Sequence, residues 1–369
     1  MTKQSARTSS VPFLLYLLGI IIGPFIAGCL LLIILVLLIF YYRRKREECF
    51  SYFGLQMGKC PCFTELIFFA FFLSFLASEK QQLQDTGTGQ SQSEAQRPEN
   101  QAKNRYRNVL PYDHARVQLT FRPTDPSSDY INASYMPGYE KEKEFIAAQG
   151  PLPGTLCDFW RLIWEQKITT LVMLTNCIEN GQRKSERYWP LDYTPCTYGD
   201  ITVSVVTETI LPDWTIRDFS IKRVTNLSDL VHLIRHYHYT SWPDHGVPHV
   251  TSTILHFRDI VREHIEQHKN SGPALIHCSA GVGRTGTFIA LDSLLRQACV
   301  QGEIGVFSFV QRLRMNRPLM IQTESQYVFL HQCLLDGIRP APLKNWDKME
   351  DSAVYENTLA LQGYEVSHV

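Results

Sequence analysis

The chain has 369 residues, room for one large domain or two ordinary ones. Lysine plus arginine and aspartate plus glutamate number 36 each, so no net field draws nucleic acid, and no such partner is expected. The ten cysteines are irregularly spaced apart from Cys60-Pro61-Cys62, which fits neither a disulfide framework nor a zinc pattern; no metal or cofactor is predicted.

Residues 11–42 are almost unbroken apolar sequence, broken only by small residues, Pro12 and Pro24. About twenty residues suffice to cross a hydrocarbon core of about 30 Å, so the run predicts a transmembrane helix behind a short extracellular N-terminus at 1–10. Arg43-Arg44-Lys45-Arg46 outweighs Lys3 and Arg7, which places everything after Tyr42 in the cytosol. The juxtamembrane segment 43–103 holds a second apolar run at 66–77. At about 1.5 Å per residue it reaches roughly 18 Å, too short for a crossing. Two readings stay open there: an interfacial or re-entrant segment, with lipid on Cys49, Cys60 or Cys62, or a product of splicing or gene assembly. Residues 80–103 are polar without apolar periodicity and read as a flexible linker.

A single folded domain is expected over 104–339, followed by a polar, acidic cytosolic tail at 340–369. Strand-like runs occupy 169–175, 201–210, 219–224 and 232–240. Ile254, Phe257, Ile260, Val261 and Ile265 share one helical face. The pattern predicts an α/β domain with a twisted mixed sheet flanked by helices. Trp242-Pro243-Asp244-His245-Gly246-Val247-Pro248 reads as a loop. A carboxylate on a mobile loop can protonate a leaving group and later take a proton from water, so Asp244 is a candidate acid/base; a plain turn is the alternative.

An apolar strand, Pro273-Ala274-Leu275-Ile276, runs into His277-Cys278-Ser279-Ala280-Gly281-Val282-Gly283-Arg284-Thr285-Gly286, and a helical pattern leaves it. In such a strand–loop–helix the amides of Ser279, Ala280, Gly281, Val282 and Gly283 converge on one point, and the helix dipole adds positive charge. That field suits a phosphate dianion and equally a thiolate at Cys278. Arg284 has the planar fork that clamps two phosphate oxygens. A nucleophile that must stay reduced agrees with a cytosolic placement.

This run resembles the signature loop of the protein tyrosine phosphatases, and the resemblance extends over nearly all of 104–339. It implies catalytic roles for Cys278, Asp244, Arg284 and Gln322, without a metal. Lys103-Asn104-Arg105-Tyr106-Arg107-Asn108-Val109 is similar to the phosphotyrosine-recognition loop, with Tyr106 stacking on the substrate ring and Asn108 orienting its backbone. Some members carry Asp where Asn108 stands. Gln322-Thr323-Glu324-Ser325-Gln326 resembles the loop in which Gln322 positions water and Gln326 supports it. Glu179 and Lys184 match the loop that braces Arg284 and the acid loop with its Trp242; His277 and Thr285 support the signature loop. His277 is open to three readings: a second nucleophile, a metal ligand, or a partner that tunes Cys278. Asp129-Tyr130-Ile131-Asn132-Ala133-Ser134 matches a family motif best read as structural.

One span, one domain and a short tail resemble the receptor-type members with a single catalytic domain, here without an ectodomain. The implied activity is hydrolysis of phosphotyrosine through a cysteinyl-phosphate, antagonising tyrosine-kinase signalling at the plasma membrane, by resemblance the apical surface of epithelia. Implied substrates are receptor kinases and adhesion or adaptor proteins. Two alternatives are an inactive phosphotyrosine-binding module and a lipid phosphatase. In the tail, Tyr355-Glu356-Asn357 predicts a site for Src-family kinases and Src-homology-2 adaptors, and Ser367-His368-Val369 a PDZ ligand; a passive solvated tail is the alternative to both.

Overall fold

The computed structural model describes residues 74–224 and 231–338. The apolar run 11–42, Tyr355 and Val369 lie outside the described residues. Among the described residues no helix is long and apolar enough to cross a membrane.

A nine-stranded sheet organises the domain. Its strands are β1 (Arg116–Gln118), β2 (Tyr130–Met136), β3 (Phe145–Ala148), β4 (Thr170–Met173), β7 (Cys196–Tyr198), β8 (Ile201–Ile210), β9 (Trp214–Arg223), β10 (Val231–Tyr239) and β11 (Ala274–His277), while β5 (Ile178–Glu179) and β6 (Gln182–Arg183) form a separate hairpin. The spatial order is β1-β2-β3-β11-β4-β10-β9-β8-β7. The central strands β3, β11, β4 and β10 run parallel, and antiparallel strands extend the sheet on both sides. The four expected strand runs correspond to β4, β8, β9 and β10. The expected helical face becomes α2 (Ser252–Gln267), with Ile254, Phe257 and Val261 buried. The other long helices are α1 (Leu156–Glu165), α3 (Gly283–Gln301), α4 (Val306–Asn316) and α5 (Glu324–Ile338).

Central strands covered on both faces must be apolar throughout, and alternate side chains must serve different cores. In β11, Ala274 and Ile276 join the core built with α2, α3, α4 and α5, whereas Leu275 joins the core under α1 with Phe159 and Trp160. In β4, Leu171 and Met173 face the α1 side and Val172 the other. The loop after β11 therefore leaves the middle of a sheet fixed from both faces, at its carboxyl edge.

The polar stretch 80–103, expected as a flexible linker, is folded onto the domain. Helical turns cover 74–82 and continue through Leu83–Asp85, Ser93–Gln96 and Pro98–Gln101. Leu76 and Leu83 are buried in the larger core, and Leu76 is the last residue but one of the apolar run 66–77. Tyr327 donates to Glu79 at 2.8 Å, and Arg314 reaches the Leu83 carbonyl at 2.5 Å. Asp113 accepts from Ser93 N and Glu94 N at 2.9 and 3.0 Å and so caps the turn at Ser93–Gln96. A composition with few apolar residues reads as linker, yet two leucines and a clamp of polar contacts suffice when a folded domain supplies the other wall. Leu83→Ala is expected to lower the unfolding free energy by about 2–4 kcal/mol, the usual range for a buried leucine. Urea denaturation of the two forms checks this, since truncating a true linker residue would shift stability by less than about 0.5 kcal/mol.

Candidate active site

The loop from Cys278 to Val282 joins β11 to the N-terminus of α3, and Cys278 is nearly buried at its entrance. Gly281 has φ 70°, and a Cβ there would collide with the Ala148 carbonyl of β3, so only glycine lets the loop turn against the sheet. The loop's carbonyls are held from behind by Arg317, which is fully buried. Its Nε donates to Gly281 O at 2.9 Å and its Nη2 to Ala280 O at 3.0 Å. Asn132 Oδ1 and Ser134 Oγ hold the same guanidinium at 2.8 and 3.2 Å. With carbonyls drawn outward, the intervening N–H groups are left to face the cleft. Burial lowers the Arg317 pKa to about 10, which leaves it charged at neutral pH.

Arg284, in the first turn of α3, is braced by Glu179 through two parallel bonds, Nη1–Oε1 at 2.7 Å and Nη2–Oε2 at 2.9 Å. Nη1 also donates to Leu174 O at 3.0 Å, and Nη2 to Pro243 O at 3.0 Å. One guanidinium therefore ties together the strand end after β4, the β5–β6 hairpin and the loop carrying Asp244. Glu179 is itself held by Thr175 Oγ1 and Asn176 N, both at 2.9 Å.

Asp244 points into the same cleft, with Lys184 Nζ at 3.0 Å from Oδ1 and Asn180 Nδ2 at 2.6 Å from Oδ2. The Lys184 hydrogen bond holds its carboxyl below the usual carboxylate value, and the neighbouring His245 acts in the same direction. Trp242 is buried against Phe329, and its indole donates to Gly246 O at 3.3 Å, which closes the loop on itself.

Tyr106 and Asn108 form one wall of the cleft, and Gln322 and Gln326 another. The Tyr106 hydroxyl lies 2.9 Å from Ser279 Oγ. Its loop is anchored by Arg105, whose N and Nη2 donate to Gln149 Oε1 and Pro151 O at 2.9 and 2.8 Å, and by Asn132, which donates to Asn104 Oδ1 and Val109 O at 2.9 and 2.8 Å. Gln326 Oε1 accepts from Gln322 N at 3.0 Å and Thr323 N at 3.3 Å, setting the backbone that carries Gln322. Tyr106, Asn108, Gln322 and Gln326 border one cleft of about 410 Å³ together with Cys278, Ser279, Ala280, Gly283 and Arg284. Thr285 lies behind it, fully buried, with its hydroxyl unpaired. Gly281 and Val282 belong to the loop itself.

His277 is fully buried beneath Cys278, and burial pushes its pKa down to about 3. Its Nδ1 lies 3.3 Å from Cys278 O, and its Nε2 lies 2.8 Å from the Tyr188 hydroxyl, which also lies 2.8 Å from His236 Nε2. If Nδ1 donates to the carbonyl, neutral His277 must accept at Nε2. Tyr188 then gives it its only proton, and His236 Nε2–H donates to Tyr188. His236 Nδ1, buried without a partner, is then the bare lone pair. Both the burial and this chain of bonds oppose a nucleophile's or a metal ligand's role for His277. Among the described residues there is no cluster of His, Cys, Asp and Glu suited to a metal ion.

Arg317, Tyr188, Gln149 and Asn180 were not among the residues singled out from the sequence. For Asn180 a signal existed, since Asn-Gly between short runs is the strongest local hairpin mark. Arg317 and Tyr188 carry no local signal, because their partners lie far away along the chain.

A family model for protein-tyrosine phosphatase matches residues 100–336, and the chain belongs to that family. It is 52% identical over 295 residues to human receptor-type tyrosine-protein phosphatase H, covering 79% of this chain and 26% of that protein. Chicken receptor-type tyrosine-protein phosphatase eta is 50% identical over 289 residues, covering 78% of this chain and 20% of its own length. Rat phosphatidylinositol phosphatase PTPRQ is 43% identical over 287 residues, 75% of this chain and 12% of that protein. The chain thus spans about a quarter or less of these relatives.

The buried imidazoles have a consequence for stability. His277 at about 3, His238 and His264 at about 4, and His236 well below its ordinary value all stay neutral in the fold, chiefly through burial, but take a proton near pH 6.5 once unfolded. The unfolded state then binds more protons below pH 6.5, so their contribution is complete above that pH and is lost as pH falls toward 4. Each should cost up to about 1.4 kcal/mol per pH unit in that window. Urea midpoints at pH 7 and pH 5 check this; equal midpoints would contradict it.

Proposed function

We propose that this protein hydrolyses phosphotyrosine on proteins through a cysteinyl-phosphate intermediate, using Asp244 as acid and then base. The observation that carries the reading is the convergence of Cys278, Asp244 and the braced Arg284 on one cleft walled by Tyr106. The Cys278 thiolate attacks phosphorus; an S–P bond forms as the bond to the tyrosyl oxygen breaks, and Asp244 gives its proton to the departing oxygen. Water then attacks phosphorus and passes a proton to Asp244, the S–P bond breaks, and inorganic phosphate leaves. Loop amides and Arg284 neutralise the phosphoryl oxygens throughout. Gln322 orients the water and Asn108 the substrate backbone. The names of the relatives H and eta support the assignment to phosphotyrosine.

The name of the third relative, a phosphatidylinositol phosphatase, favours one second reading, hydrolysis of lipid phosphate. Tyr106 at the rim argues for the deeper phosphotyrosine pocket. Initial rates of the full chain in detergent on phosphotyrosine peptide, phosphoserine peptide and phosphoinositide separate these, and a dominant phosphoinositide rate would replace the first reading.

Cys278→Ser should abolish turnover while phosphotyrosine binding persists, because cradle and clamp remain. Asp244→Ala should lower kcat by about 10²–10⁴-fold on poor leaving groups and far less on acidic ones. A carboxyl held low is mostly ionised at neutral pH, whereas the first step needs it protonated, so the rate should fall as pH rises past its pKa. Equal losses across leaving groups, or a rate rising with pH, would remove Asp244 from the role.

The span at 11–42 and its basic flank support a placement of the domain at the cytosolic face of the plasma membrane. Tyr355, among carboxylates and two positions before Asn357, supports phosphorylation by Src-family kinases and capture by Src-homology-2 adaptors, and Val369 a PDZ contact. Self-dephosphorylation should leave Tyr355 sparsely occupied in the active enzyme and heavily occupied in Cys278→Ser. Mass spectrometry of both forms from cells with an active Src-family kinase measures it; an unmodified Tyr355 in both leaves the tail passive.

A further inference from the structure

β5 and β6 pair through Ile178–Arg183 and Glu179–Gln182, which leaves Asn180 and Gly181 as a two-residue turn. Both have positive φ, 46° and 75°, as a type I′ turn requires. The backbone alone therefore accounts for an Asn-Gly pair here. It does not account for where the Asn180 side chain goes: its Nδ2 lies 2.6 Å from Asp244 Oδ2, 64 positions away.

We propose that Asn180 is a positioning residue for the general acid, donating to Asp244 Oδ2 while Lys184 holds Oδ1, so that the hairpin bracing Arg284 also sets the protonation state of Asp244. This inference rests on Asp244 being the acid/base. An amide N–H placed on a carboxylate oxygen favours the ionised form, and the bond must be given up at that oxygen when it carries the proton. The contact thus favours the state that acts as base in the second step and opposes the state that acts as acid in the first. The other groups facing Asp244 are Lys184 just past the strand after the turn, Glu179 from the strand before it, and His245 on its own loop with Nε2 at 3.8 Å. Arg284 approaches the Asp244 carbonyl from α3 at 3.5 Å, and the Cys278 thiol shares the cleft. All of these remain when only residue 180 is changed.

The test is the pH profile of kcat/KM of the full chain on an aryl phosphate with a poor leaving group. Asn180→Gly keeps the left-handed turn and deletes the amide. Its descending limb should move up by about half a pH unit, a roughly threefold gain relative to wild type on the alkaline side. Asn180→Asp also tolerates the turn but sets a like charge beside Asp244, and the limb should move further, by about one unit. Thermal melts identify a variant that fails to fold, in which case the other carries the test. Limbs coincident with wild type, or a rate loss uniform in pH and leaving group, would reduce Asn180 to a turn former and overturn the inference. If Asp244→Ala lacks its leaving-group-dependent loss, the acid assignment itself has failed. If that loss is present and both limbs stay put, only the role of Asn180 has failed.

Discussion

A run of backbone amides can face an anion only if the carbonyls between them are satisfied on the other side. Here one buried side chain, Arg317, takes up Gly281 O and Ala280 O while Asn132 and Ser134 hold it in place, and the backbone N–H groups of Gly150 and Ile321 take up Ser279 O and Val282 O. Removing water from an arginine costs several kcal/mol unless its donors are filled, so the partners must be present and correctly placed. The arrangement makes the cradle a property of the packed sheet rather than of the loop. Gly281 completes it by letting the backbone pass against Ala148 where a side chain would not fit.

A second constraint operates on the opposite wall. The β5–β6 hairpin is small, yet it carries Glu179, Asn180 and Lys184, which reach Arg284 and both oxygens of Asp244. Cation clamp and acid loop are therefore held in one frame, and Arg284 closes the circle by binding Pro243 O. A displacement of the hairpin would be felt by both groups at once. Such coupling suits chemistry in which the phosphoryl group and the leaving oxygen must be addressed in the same geometry.

Beneath the loop, the site draws on polar groups at the cost of acid stability. His277, Tyr188 and His236 form a buried chain whose donors and acceptors follow once His277 Nδ1 donates to the Cys278 carbonyl. Aromatic neighbours, among them Phe159 and Trp189, exclude water from it. Low local polarity strengthens each of these bonds and keeps the imidazoles neutral. The price is a fold that must weaken as histidines begin to charge in the unfolded chain.

The make-up of the cleft was legible in the sequence where it depends on residues close together in the chain. A strand, a glycine-rich turn and a helix start put Cys278 and Arg284 on one loop, and paired prolines with a glycine marked the loop of Asp244. Runs that alternate or cluster apolar residues likewise marked β4, β8, β9 and β10. The strands β2 and β3 left no such mark, since burial on both faces erases the alternation that identifies a strand, and β1 is only three residues long. What the tertiary structure decided is which distant groups hold that chemistry still. Arg317 meets a loop 36 positions back, Asn180 meets an acid 64 positions on, and the polar stretch before residue 104 folds because a finished core offers Leu76 and Leu83 a wall. Local pattern reports what a residue can do. Its partners are set by packing across the sheet, where contacts unrelated in sequence become neighbours.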